Sequence, residues 1–245
     1  MQDSFGRTID YLRLSVTERC DLRCRYCMEE AGVPKRSHAE MLRLEELAEI
    51  GGAAVALGVR KIRLTGGEPL VRRGLLALCR SLSALPGLSE LCLTTNGAQL
   101  ARFAAPLRAA GVSRLNISLD TLQPEKFAYL TRRDRLQDTL DGIAAAEAAG
   151  FERLKLNCVL MGGVNDDEIG DFLRLTEEHP WEVRFIELRQ PKHPTPARRA
   201  AEAERMVSEA PAMMLPTTGR APERLWAVRT AAASAVPVTS PVRER

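Results

Sequence analysis

The sequence has no run of about 18 apolar residues, so no membrane-spanning helix is expected. Asp3, Arg7 and Asp10 interrupt the first stretch, which therefore does not read as a secretory leader. Neither sign of charge dominates. The 35 Lys and Arg residues against 32 Asp and Glu leave a net charge of +3, too little to demand a nucleic-acid partner. Six cysteines in 245 residues do not make the disulfide framework of a secreted protein. A reducing, cytoplasmic location is expected. No cysteine follows Cys158 and no histidine follows His193.

The chain does have Cys20, Cys24 and Cys27, in the run CDLRCRYC, spaced Cys-x3-Cys-x2-Cys. Soft thiolates select iron–sulfur clusters, zinc and copper(I). Four thiolates close a structural cluster or zinc site. Three leave one iron of a 4Fe–4S cube open to a small molecule. Zinc with His38 as fourth ligand is the alternative. Arg19, Asp21, Arg23 and Arg25 stand beside or between the thiols and suit a loop wrapped around a cluster. Their cations should favour thiolate over thiol. Cys79, Cys92 and Cys158 lie in apolar runs and read as small buried hydrophobes.

With 45% hydrophobic residues the chain can bury one substantial core. Short apolar strands are expected at residues 11–16, 61–64, 91–94, 114–119, 155–160 and 182–188. Helices with apolar residues three and four apart are expected at 43–57, 73–85, 99–109, 136–149 and 166–178. Gly58, Gly111 and Gly150 stand where helices close. Strands alternating with helices imply a parallel α/β sheet, closed, partly closed or doubly wound, with chemistry at the C-terminal strand ends. After residue 190 the order weakens. Residues 191–245 hold 8 of the 14 prolines and 12 alanines, and read as an irregular extension with one helix at 196–209 and a short strand at 225–228.

The loops after the strands carry the chemistry-bearing residues. Thr65-Gly66-Gly67-Glu68-Pro69 lets backbone approach a ligand closely, and Glu68 can accept from a ligand ammonium. Thr94, Thr95 and Asn96 follow strand three; Ser118 and Asp120 end strand four. Lys155 and Asn157 alternate with apolar neighbours, and burying Lys155 without an anion would be costly, so a phosphate or carboxylate partner is expected. Arg13 and Arg63 converge with Lys155 from other strands and suggest a polyanionic substrate.

The strings DYLRLSVTERCDLRCRYCM, KIRLTGGEPLVRR, LTTNG, LNISLD, LNCVLMGGVNDDE and VRFIEL resemble the radical S-adenosylmethionine (AdoMet) superfamily and, within it, the GTP 3′,8-cyclase family of molybdenum cofactor biosynthesis. The resemblance runs from about residue 6 to 188. It implies a partial (βα)6 barrel of the TIM type, one 4Fe–4S cluster on Cys20, Cys24 and Cys27, and AdoMet bound at the open iron. It further implies reductive cleavage of AdoMet, hydrogen abstraction from C3′ of GTP and closure onto C8, a lyase reaction. Tyr26, Gly66, Gly67, Glu68 and Ser118 would surround AdoMet; Arg13, Arg63, Thr94 and Lys155 would face GTP. An electron donor such as flavodoxin or ferredoxin is implied as a partner, and a homodimer is left open. The family carries a second Cys-x2-Cys…Cys set in its C-terminal part. Nothing here corresponds to it, so the second cluster is expected to be absent and GTP cyclisation weak in the chain as it stands. The alternatives are a single-cluster radical enzyme with another anionic substrate, or a non-catalytic iron–sulfur protein.

Overall fold

A computed structural model describes residues 2–33 and 40–188, together with the backbone of Trp226–Val228. Six parallel strands alternate with helices. The strands are β1 (Tyr11–Ser15), β2 (Lys61–Thr65), β3 (Glu90–Thr95), β4 (Arg114–Ser118), β5 (Lys155–Leu160) and β6 (Glu182–Glu187). They lie in sequence order, each paired to the next, and β1 remains at an edge. The sheet is therefore the expected partial barrel. A seventh strand, β7 (Trp226–Val228), runs antiparallel on β6, where the short strand at 225–228 was expected. The helix expected at 196–209 and the boundary at 190 lie outside the described residues.

Period-two alternation builds the sheet. One face is apolar and is covered by helices: Ile62, Leu64, Leu93, Leu115, Ile117 and Leu156 are 0% exposed. Each such side chain contributes about 1.5–3 kcal/mol on burial. The covering helices are α1 (Leu44–Ala56), α2 (Leu75–Ser83), α3 (Leu100–Ala109), α5 (Leu136–Ala148) and α6 (Ile169–Glu178), close to the expected ranges. Cys79, Cys92 and Cys158 are buried, as expected.

Helix α4 (Pro124–Thr131) was not anticipated. It is only eight residues long, too short for periodicity to stand out between charged flanks. Its local signals are nonetheless regular: Pro124 and Glu125 occupy the first turn, and Phe127 and Leu130 are buried on one side.

Helix α5 sits unusually close to the loop after β3. A Cβ at Gly142 would stand 2.3 Å from the Gly97 carbonyl oxygen and 2.9 Å from Leu100 Cβ. Gly52 in α1 has only Leu85 Cδ2 nearby, at 3.8 Å. Urea unfolding should therefore separate the two glycines. Gly142→Ala should destabilise by about 1–3 kcal/mol through overpacking. Gly52→Ala should stabilise by about 0.5–1 kcal/mol through lost unfolded-state entropy.

Candidate active site

The loop carrying Cys20, Cys24 and Cys27 leaves the C-terminal end of β1 and is laid against the turn after β2. The β1–β2 ladder continues past both strands: Val16 N–H donates to the Thr65 carbonyl, Gly67 N–H to that of Thr17 and Glu68 N–H to that of Arg19, each at 2.8 Å. Only glycine permits this contact. A Cβ on Gly66, whose φ is +146°, would meet Thr17 O at 2.3 Å; one on Gly67 would meet Arg19 O at 2.4 Å. The close approach expected of these glycines is thus made to the stem of the cysteine loop.

Glu68 is 0% exposed. One carboxylate oxygen accepts from Leu70 N–H (2.9 Å) and Thr95 Oγ1 (2.8 Å), the other from Asn96 N–H (2.6 Å). Burial pushes its carboxyl up to about 7 in spite of these donors. Glu68 is an acceptor as expected, and the donors it takes among the described residues come from the chain itself. Its carboxylate has no exposed surface and ties the β2 turn to the β3 turn.

The cysteine loop has three anchors. Asp21 accepts from Asn96 Nδ2 (2.7 Å), Gln99 Nε2 (2.9 Å) and Arg135 Nη1 (2.9 Å), binding the loop to the β3 turn and the start of α5. Tyr26 donates its hydroxyl to Asp120 Oδ2 at 2.6 Å, and Asp120 Oδ1 accepts from Val159 N–H at 2.9 Å. Arg23 and Arg25 donate backbone N–H groups to the Thr131 and Leu130 carbonyls, both at 2.9 Å. The arginines do not serve the thiols. Arg23 Nη1 donates to the Cys20 and Leu22 carbonyls, at 2.5 and 2.7 Å. Arg25 Nε donates to the Tyr129 carbonyl at 2.8 Å, with its guanidinium 4.3 Å from the Tyr129 ring centre. Neither guanidinium is hydrogen-bonded to a thiol. Burial, as the largest cause, raises the pKa of all three thiols, and for Cys24 the Asp120 carboxylate and the other two cysteines add to it.

The donor set fits a cluster. Cys27 and Met28 N–H groups close a turn on the Cys24 carbonyl, at 2.9 and 3.1 Å. Leu22 N–H and Asn96 Nδ2 are aimed at Cys20 Sγ, at 3.4 and 3.9 Å, as donors to a thiolate would be. Among the described residues, no three His, Cys, Asp or Glu side chains are grouped closely enough to hold a metal ion. His38 lies outside the described residues.

The concave face of the sheet carries the opposite pattern to the convex one. Within β1–β6 it presents Arg13, Lys61, Arg63, Arg114, Lys155 and Arg184 against Glu90 and Glu182. Sequence reading named Arg13, Arg63 and Lys155; the same alternation would have given the other three. Glu90 bonds Lys61 (2.7 Å) and lies 3.3 Å from Arg114. Arg63 bonds the Tyr11 hydroxyl (2.6 Å) and Thr94 Oγ1 (3.4 Å), and Arg13 is exposed with no ion pair to a described residue. Lys155 finds its anion within the chain, Nζ lying 2.7 Å from Glu182 Oε2. The phosphate or carboxylate partner expected of Lys155 is here the Glu182 carboxylate, which Arg184 also contacts at 2.6 Å. Burial works against the Glu182 carboxylate, but the hydrogen bonds from Lys155 and Arg184 outweigh it and hold its pKa at about 2. Burial also lowers the Lys155 ammonium, and Arg184 and Arg114 add to that. Ser118, last in β4, is half-buried and in register with Asn157.

A parallel half-barrel with three thiols on the first loop and a glycine turn under it defines a class. The chain belongs to the Radical SAM superfamily, whose family model matches residues 14–176. It is similar to the GTP 3′,8-cyclase of Peptoclostridium acidaminophilum, at 56% identity over 186 residues, and to that of Geobacter sulfurreducens, at 58% over 185. Each match covers 76% of this chain and 57% of the relative, so the chain spans little more than half the length of these curated relatives. Among solved structures, Streptococcus suis SuiB superposes with a TM-score of 0.61 at 17% identity, covering 75% of this chain and 40% of that one. Escherichia coli coproporphyrinogen III oxidase (HemN), a Radical SAM enzyme, gives 0.56 at 15%, covering 84% and 48%. These likenesses show the fold.

Removing Glu68 should loosen the whole site. Glu68→Ala leaves three donors behind and should lower unfolding free energy by roughly 3 kcal/mol. Glu68→Gln, which keeps an acceptor, should cost about 1 kcal/mol. Urea titration of both variants checks the order.

Proposed function

We propose that this chain is a radical AdoMet enzyme of the GTP 3′,8-cyclase type. The observation that carries the reading is the juxtaposition of a three-thiol loop with a concave face of six cations against two carboxylates. Cys20, Cys24 and Cys27 would hold a 4Fe–4S cluster, and Tyr26, Gly66, Gly67 and Ser118 would border AdoMet. When bound, such a cluster supplies the electron that cleaves AdoMet and so starts hydrogen abstraction.

The chain's own residues do the rest of the work. The loop anchors fix where the thiols stand, and the glycine turn leaves backbone, not side chains, beneath them. Arg13, Arg63, Thr94 and Lys155, joined by Lys61, Arg114 and Arg184, would draw a polyphosphate into the groove. The positive surplus supports an anionic substrate: six cations against two carboxylates leave the face net positive. The similarity to GTP 3′,8-cyclases supports GTP as that anion.

A second reading, a different anionic substrate, has its own support: the cations recognise charge and do not select a base.

Anaerobic reconstitution should load about four irons per chain with matching sulfide. One zinc, or no metal, would overturn the cluster. The loaded protein with AdoMet and dithionite should release 5′-deoxyadenosine, and none at all would make this an iron–sulfur binding protein. GTP should bind far more tightly than guanosine; equal affinity would sink the role of the cations. Because Lys155 titrates below ordinary lysine, its charge is present at low pH and lost as pH rises through that lowered value. GTP affinity should fall correspondingly early on the alkaline side. Lys155→Met should weaken GTP by about tenfold, the loss of one charge-assisted hydrogen bond, and flatten that part of the profile.

A further inference from the structure

Residues 16–33, which carry the cysteine loop, form no helix or strand. Its geometry must be borrowed, and most of it is borrowed from α4. A helix ends with carbonyls that lack intrahelical partners. At the end of α4 these are taken by the loop: Tyr129 O accepts from Arg25 Nε, Leu130 O from Arg25 N–H and Thr131 O from Arg23 N–H. Cys24 lies between the two residues whose backbone is pinned in this way.

Arg132 completes the contact. It ends α4 with φ +54°, the only non-glycine residue with positive φ among those described. Glycine commonly fills this position and fits it without strain. Here the side chain has a use: Arg132 Nη1 donates to the Arg23 carbonyl (2.8 Å) and the Met28 carbonyl (3.3 Å), spanning the segment that holds Cys24 and Cys27.

The other end of α4 is fixed on the VNDDE segment after β5, which none of the roles above absorbs. Lys126 is 1% exposed; its ammonium lies 2.5 and 2.8 Å from the two Asp167 oxygens and 3.2 Å from Glu168 Oε1. Glu168, 0% exposed, also accepts from Thr121 Oγ1 (2.6 Å) and Leu122 N–H (2.7 Å), just ahead of the helix. Phe127 and Leu130 are buried beneath it. The helix is thus held at both ends.

We infer that α4 is a strut that positions the cysteine loop, with Lys126 fixing it to the VNDDE segment and Arg132 locking the loop to its far end. Lys126 and Arg132 are positioning residues that touch no ligand. The inference rests on Cys20, Cys24 and Cys27 being cluster ligands only for its consequence, not for the strut itself.

Hydrogen exchange on the metal-free chain tests the strut alone. Arg132→Gly relieves the backbone and removes the guanidinium. It should keep the thermal midpoint while speeding exchange across residues 23–28 by about tenfold, the loss of roughly one charged hydrogen bond. Arg132→Lys, which keeps a donor, should recover part of that protection. Lys126→Met should speed exchange over the same residues from the opposite end of the helix. After reconstitution, Arg132→Gly should surrender iron to a chelator about tenfold faster, with a broadened electron paramagnetic resonance signal of the reduced cluster. Wild-type exchange at residues 23–28 in Arg132→Gly overturns the strut, and this variant decides the matter if Lys126→Met fails to fold. A wild-type chain that binds no iron overturns the cluster reading instead and leaves the exchange result standing.

Discussion

A carboxylate with no exposed surface holds the business end of this barrel together. Glu68 joins the turn after β2 to the turn after β3 through three donors, and the same turn lies flat on the stem of the cysteine loop. Three consecutive strand ends are thereby fixed by backbone and by one side chain. The burial that raises its carboxyl to about 7 measures the cost of that arrangement. The donors hold the carboxylate in place against that cost.

Beneath this rigid rim the concave face works by charge. Its cations are not independent. Lys61 and Arg114 share Glu90, and Lys155 and Arg184 share Glu182. Two carboxylates among six cations preorganise the groove without neutralising it, so the arginines and lysines stand in place before any ligand arrives. Arg13, on the edge strand, is the most open of them. Such a face selects first for negative charge and only afterwards for shape.

Much of this was legible in the sequence. Alternating strands, helix-closing glycines and the Cys-x3-Cys-x2-Cys loop each follow a strong local rule, and all appear where expected. The misses share a cause: they depend on contacts distant in sequence. Helix α4 is too short to announce itself by period. Glu68 reads as an acceptor, but its partners Thr95 and Asn96 appear only in the fold. Arg23 and Arg25 look like neighbours of thiols, yet their guanidiniums turn to carbonyls, Arg25's across 104 residues. Lys61, Arg114 and Arg184 obey the same alternation as Arg13 and Arg63 but sit at strand positions where apolar neighbours draw attention first.

The strut also bears on the order in which the protein is made. Almost every other contact in the sheet joins elements adjacent in sequence, so the barrel can grow strand by strand as the chain emerges. The cysteine loop is the exception. Its thiols are synthesised early, but the Arg132 guanidinium that binds Arg23 follows 109 residues later. Until then the loop rests only on the turns after β2, β3 and β4. The loop is thereby completed only once α4 has been made, and a nascent chain that stalls before α4 presents three thiols on a loop that lacks this anchor.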